Sequence, residues 1–120
     1  MFNFNTTAEN LADPAMRSRI VLMTRAIIDA AAELRGDPDR AQRLLSEASG
    51  FALEDIRKSW KHHAFTAALP DDMLDVLVEQ EIWLAQQENR QPRGREELAR
   101  LIDTSVYEEA MALEPLRPRR

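Results

Sequence analysis

The sequence predicts an all-α domain of five or six helices, and three observations carry that prediction. Asp13-Pro14, Asp37-Pro38-Asp39 and Pro70-Asp71-Asp72 each combine a capping carboxylate with a ring that needs no amide partner, which is how helices start. Between these starts the large apolar residues recur at 3-4-7 spacing, a helical period and not the alternation of a strand. Alanine, leucine, glutamate and arginine dominate, with three glycines and one tyrosine, a mixture that favours helix over a β-sandwich.

Residues 1–13 read as an irregular arm, because Asn3, Asn5, Thr6 and Thr7 favour turns; Phe2 and Phe4 are free to dock on a neighbour. The first helix starts at Asp13-Pro14 and runs to about Arg35, with Gly36 expected to end it in the left-handed conformation. Within it Ile20, Met23, Ile27 and Leu34 form one stripe, and Val21, Leu22 and Ile28 a second beside it. An apolar arc this wide expects cover on two sides. The next helix places Ala41, Leu44, Leu45 and Ala48 on one face up to Gly50, and the tight junction between the two helices implies a hairpin or corner.

A shorter helix follows Phe51, with Leu53, Ile56 and Trp60 on one side and a loose start, since Ala52 is a poor cap. Lys61 to Leu69 shows no convincing period and reads as a crossover. From Met73 to Gln87 the stripe is Met73, Val76, Leu77 and Leu84, with Trp83 expected in the core and Glu79, Gln80, Glu81, Gln86 and Gln87 mostly on the wet side. Asn89 to Gly94 is a polar loop around Pro92. Arg95 to Ile102 holds enough apolar residues for about two turns. Asp103-Thr104-Ser105 offers capping oxygens for a last helix carrying Val106, Tyr107, Ala110 and Met111. The helical domain is thus residues 14–113, and 114–120 is expected to be a frayed tail.

With 44% hydrophobic and 31% charged residues over 120 positions, the chain is one ordinary globular domain and not a disordered segment. There is no cysteine, which excludes disulfides, thiolate metal sites and cysteine nucleophiles. A net charge of −5 argues against a nucleic-acid footprint. The local exceptions are Arg90, Arg93 and Arg95, and then Arg117, Arg119 and Arg120, which read as solvated loop and tail rather than phosphate sites. No signal peptide pattern or membrane-length apolar run is present, so the expectation is a cytoplasmic protein without membrane insertion.

No catalytic, cofactor or metal constellation emerges. His62 and His63 are adjacent, so a regular helix points them about a hundred degrees apart, and Asp71, Asp72 and Asp75 join them only by folding. Glu96-Glu97 and Glu108-Glu109 are consecutive pairs, not carboxylates converging across a cleft. Ser46, Ser49, Ser59 and Ser105 lack a nucleophile-elbow context. Trp60 and Trp83 sit at core spacing, and a helix-turn-helix forced onto Phe51 to Phe65 lacks basic residues for a recognition helix.

The serial order of these landmarks resembles the C-terminal part of ABC-transporter substrate-binding proteins of the nitrate, sulfonate, taurine and thiamine-precursor class. The matching run goes from about Ser18 to Ala110. It comprises IVLMTRAIIDAAAELRGDPDRAQRLLSEASGF with its Pro-acid restart and its Ala48-Ser49-Gly50-Phe51 turn, the short LEDIRKSW helix, and VLVEQEIWLAQQ leading through a proline loop to LIDTSVYEEA. Asn89-Arg90-Gln91 and Arg93-Gly94-Arg95 depart from the usual Gly and apolar residues there. The resemblance implies a family of secreted or lipid-anchored two-lobed α/β proteins that clasp a small anion or heterocycle. Its ligand residues fall mostly outside the matched run, so none is carried over.

The sequence therefore leads to a non-enzymatic helical protein akin to a truncated, split or re-used piece of such a binding protein, without its own solute site. The alternatives are a helical interaction or regulatory module and, behind it, a small helix-turn-helix DNA-binding protein. The expected partner is a second copy or another protein covering the first helix, with no cofactor and no nucleic acid.

Overall fold

The computed structural model describes residues 4–116, and among them the regular structure is entirely helical. Seven helices follow in order: α1 Ala8–Ala12, α2 Pro14–Gly36, α3 Pro38–Ser49, α4 Leu53–Trp60, α5 Met73–Gln87, α6 Arg95–Ala99 and α7 Ser105–Ala112. The five longer helices stand where the sequence places them. Helix α1 is additional: the Thr7 hydroxyl accepts from the Asn10 amide at 3.2 Å and gives a single capped turn inside the arm expected to be irregular. Helix α6 is shorter than expected and ends at Ala99, with Leu101 left exposed. The readings on Phe2, Asn3, Arg117, Arg119 and Arg120 lie outside the described residues.

The starts of α2 and α3 are made by the side chains the sequence offers, whereas Asp72, at the start of α5, makes no capping bond through its side chain. Asp13 Oδ1 accepts from the amides of Ala15 (2.8 Å) and Met16 (3.1 Å), with Pro14 as first helical residue. Gly36, however, is not left-handed. It stays helical, and the chain turns at Asp37, whose φ of −138° and ψ of 81° are the extended-side values a residue before proline is forced toward. Asp37 closes α2 and opens α3 at once, accepting from the Arg40 amide at 3.0 Å. The left-handed glycine is Gly50, with φ 75°, at the end of α3.

Helix α2 is the axis, packed by α1, α3 and α7, while α4 packs on α3. Val21 and Arg25 are buried and Ile28 half-buried on the side that meets α7. Part of the second stripe, which was expected to need a partner protein over the first helix, is therefore covered from within the chain. The uncovered residues are Leu22, 49% exposed, and Met23 and Ile27 of the first stripe. Of the apolar face of α3, Ala41 is buried while Leu44 and Leu45 remain exposed.

Polar groups hold α7 in place. At its start Arg17 donates to the Ser105 hydroxyl at 2.8 Å and pairs with Glu109, while Asp103 accepts from the Ser105 amide at 2.9 Å. At its end Arg25 donates to the Leu113 carbonyl at 3.2 Å and pairs with Asp29. Asp29 in turn accepts from the Leu116 amide at 2.7 Å, so part of the predicted frayed tail is tied down. A cation on the last carbonyls of a helix is also favoured by the helix dipole.

Helices α5 and α6 form a second unit: among the described residues α5 packs against no helix except α6. Its buried apolar residues are Ala85 of α5, 1% exposed, and Leu98 of α6. Trp83, expected in the core, is 62% exposed, and Glu81, expected on the wet side, is buried. The reversal has a local cause in the turn that ends α5. Asn89 adopts φ 51°, the Arg90 amide donates back to the Ala85 carbonyl at 3.0 Å and the Asn89 amide to Gln86 at 3.4 Å. This helix-ending turn brings Arg90 and the Arg93 amide onto Glu81, and Trp83, two positions on and about 200° further round the helix, faces solvent.

Candidate interaction surface

The residues singled out for chemistry do not converge. His62 and His63 are exposed; His63 Nδ1 lies 2.9 Å from the Ser59 carbonyl and its ring stacks on Phe65 at 5.9 Å. Asp75 pairs with Arg95 at 2.6 Å, Glu97 with Arg93 at 3.7 Å and Glu109 with Arg17. Glu108 accepts from the Thr104 hydroxyl at 2.8 Å. Among the described residues no group of three or more histidine or carboxylate side chains is placed to hold a metal ion.

The serines close backbone turns. Ser46 donates to the Phe51 carbonyl (2.7 Å), Ser49 to Leu45 (2.6 Å) and Ser59 to Ile56 (3.1 Å). Phe51 to Phe65 contains one helix, α4, and not a pair joined by a turn, so the helix-turn-helix placed there is not formed. Trp60 is half-buried and stacks on Phe65 at 4.6 Å.

The arginine cluster of the 89–95 loop is a clasp. Arg90 forks onto both oxygens of Glu81, the second at 3.1 Å, and its Nε donates to Glu88 at 2.6 Å. The Arg93 amide adds a bond to Glu81 at 2.9 Å. These donors, the Arg90 side chain first, hold the Glu81 carboxyl down at about 2, against burial, which pushes it up. Arg90 is raised by the same partnership. With Arg93 and Arg95 also facing carboxylates, the cluster is engaged within the protein. In sequence Glu81 is indistinguishable from its solvated neighbours Glu79 and Gln80; an acid nine residues before an arginine carries no short-range signal.

What the surface does present is apolar. Met23 and Ile27 of α2, Leu44 and Leu45 of α3, Phe51, Ile82, Trp83 and Leu84 of α5, and Leu101 are all exposed. The structure exposes 9662 Å², where a compact chain of 13.8 kDa exposes about 6,600 Å². Its radius of gyration is 17.7 Å, against about 14 Å for a compact domain of this length. Two concavities accompany these faces. One of about 260 Å³ runs between Ile27, Ala30 and Leu34 of α2 and the segment Ala64 to Ala67. The other, about 210 Å³, lies among Phe4, Leu69, Met73, Leu77 and Ile102.

No family model matches the chain, and neither a curated protein nor a solved structure matches it. No helix among the described residues is long and apolar enough to cross a membrane.

Proposed function

We propose that this chain is a non-enzymatic helical assembly module, related to the C-terminal part of ABC-transporter solute-binding proteins, that works by packing its bare helix faces against another protein surface. The observation that carries this reading is the uncovered apolar face of α2 together with that of α5. Met23 and Ile27 on one, and Ile82, Trp83 and Leu84 on the other, stand in solvent in a chain whose surface exceeds the compact value by nearly half. Exposed apolar surface of this extent usually marks an interface. The relation to solute-binding proteins is supported by the order of helix starts, the Ser49-Gly50-Phe51 turn and the Asp103-Thr104-Ser105 entry to α7.

A solute site needs a concave pocket with several polar groups converging on one point. The larger concavity is lined by alanine, isoleucine, leucine and phenylalanine, with Thr66 as its one polar side chain. The smaller one has two polar side chains, Asn5 and Asp103, and the Asp103 carboxylate is engaged with Ser105. The test has two arms. Nitrate, taurine, an alkyl sulfonate and a pyrimidine are titrated while the melting temperature is followed, and no saturable stabilisation is expected. A ligand-specific shift near the ~2.7 kcal/mol due at a hundredfold excess over the dissociation constant would overturn the reading. A hydrophobic reporter dye is then added to the wild type and to a Met23→Glu/Trp83→Glu variant. Dye binding lost in the variant with helix content retained is expected; a wild type that binds no dye has its faces covered, and the module reading fails.

A further inference from the structure

Helix α7 and the residues after it rest on α2 through three side chains. Among the described residues, every hydrogen bond from residues 105–116 to α2 is made by Arg17, Arg25 or Asp29. Arg17 donates to the Ser105 hydroxyl (2.8 Å) and to Glu109 (3.1 Å) at the start of α7. Arg25 donates to the carbonyls of Ala110 (3.5 Å) and Leu113 (3.2 Å) at its end, and Asp29 accepts from the Leu116 amide (2.7 Å). Apolar packing adds little. Ala110 is the one buried residue of this stretch; Val106 and Tyr107 are half-buried, and Met111, Leu113 and Leu116 are exposed. Among the described residues α2 is the only helix that α7 packs against. An isolated helix of fewer than about 12 residues is marginal in water, so α7, with 8, keeps its shape only while it is docked.

The docked state also leaves a donor unmet. Arg25 is 8% exposed; its terminal nitrogens are engaged with Asp29 and the two carbonyls, but its Nε is buried without a hydrogen-bond partner. Water would serve that N–H in the open chain, so closing α7 over Arg25 gives up a bond that opening restores. On α2, Val21 lies one turn from Arg17 and one turn from Arg25, on the ridge that α7 covers, and Ile28 shares that side two turns further on.

We propose that residues 105–116 form a latch that opens as one unit and so controls how much apolar surface α2 presents. As regulation, this rests on the assembly reading above. Closed, the latch buries Val21 and half-buries Ile28. Open, it bares both. Leu22, 49% exposed, stands about 100° of helix from Val21 and about 100° from Met23, so it joins the newly bared side to the face of Met23 and Ile27.

Hydrogen exchange on the full chain tests the latch. The α7 amides are expected to exchange at least about tenfold slower than an unstructured chain, yet at least about a hundredfold faster than the central amides of α2. Arg17→Met and Leu116→Pro remove bonds at opposite ends, and each should speed exchange across the whole of α7 by at least about tenfold. Leu116 lies outside every helix, so losing its N–H leaves the helices their own bonds. Both variants should also bind at least about twofold more anilinonaphthalene sulfonate than the wild type. Amides of α7 as slow as those of α2, an effect confined to the turn nearest each substitution, or dye binding unchanged in both variants would each overturn the latch. The assembly reading would survive any of these if the wild type binds dye. A wild type that binds none, beside two variants that do, would uphold the latch motion and fail the assembly reading instead.

Discussion

Glu81 and Arg90 face each other across the turn that ends α5, joined by a two-pronged ion pair that the Arg93 amide completes. The pair ties a loop to the buried side of its own helix, the side that also carries Ala85. Trp83, two positions on, lies on the opposite side of the helix and is exposed.

This pairing makes the α5–α6 unit acid-sensitive in a defined window. The Glu81 carboxyl falls from 4.5 to about 2 on folding, so its contribution to stability is complete above the unfolded value and is lost as pH drops through the folded one. Between about pH 4.5 and 2 the amides of α5 and α6 should lose protection from hydrogen exchange. Glu81→Gln should lower stability at neutral pH and remove the part of the acid transition that this carboxyl causes. An acid transition identical in the variant would show that the clasp is not its source.

Leu98 is the single large apolar side chain buried in α6, the helix that packs on α5. Leu98→Ala should cost about 2 to 3 kcal/mol, the low end for leucine truncation, because a unit this open collapses easily around the gap. The loss should appear as faster exchange in α5 and α6, with α2 and α7 little changed, since no helix of the first group packs on α5.

Two helix ends separate backbone strain from packing. Gly50 has φ 75° and open space where a Cβ would stand, so Gly50→Ala should cost about 1 kcal/mol from the backbone alone. Asn89 holds φ 51° at the end of α5, and Asn89→Gly should be neutral or stabilise by less than about 1 kcal/mol. Chemical denaturation of both variants checks the two signs; a Gly50→Ala variant as stable as wild type would mean that α3 ends differently in solution.

The residues that set helix boundaries act on neighbours one to four positions away, and those boundaries are legible in the sequence. Asp13, Pro14, Asp37, Pro38 and Gly50 each do at the backbone what their chemistry suggests. Gly36 shows the limit of such reading, because Pro38 acting on Asp37 relieved the glycine of its expected role. The surface was less legible than the helices. Period-3.6 stripes locate apolar faces but do not say which of them finds a partner.

The sequence alone determined an all-helical chain, its main helix starts, and an apolar surplus on α2; these follow from propensity, capping and composition, which are properties of short stretches. Only the tertiary structure decided which stripe was covered. Val21 and Arg25 are buried because α7, some 88 residues on, is anchored there through the Leu113 carbonyl, and Glu81 is inside because Arg90 returns to it. A covered face depends on contacts between segments remote in the chain, and no local period encodes which remote segment arrives.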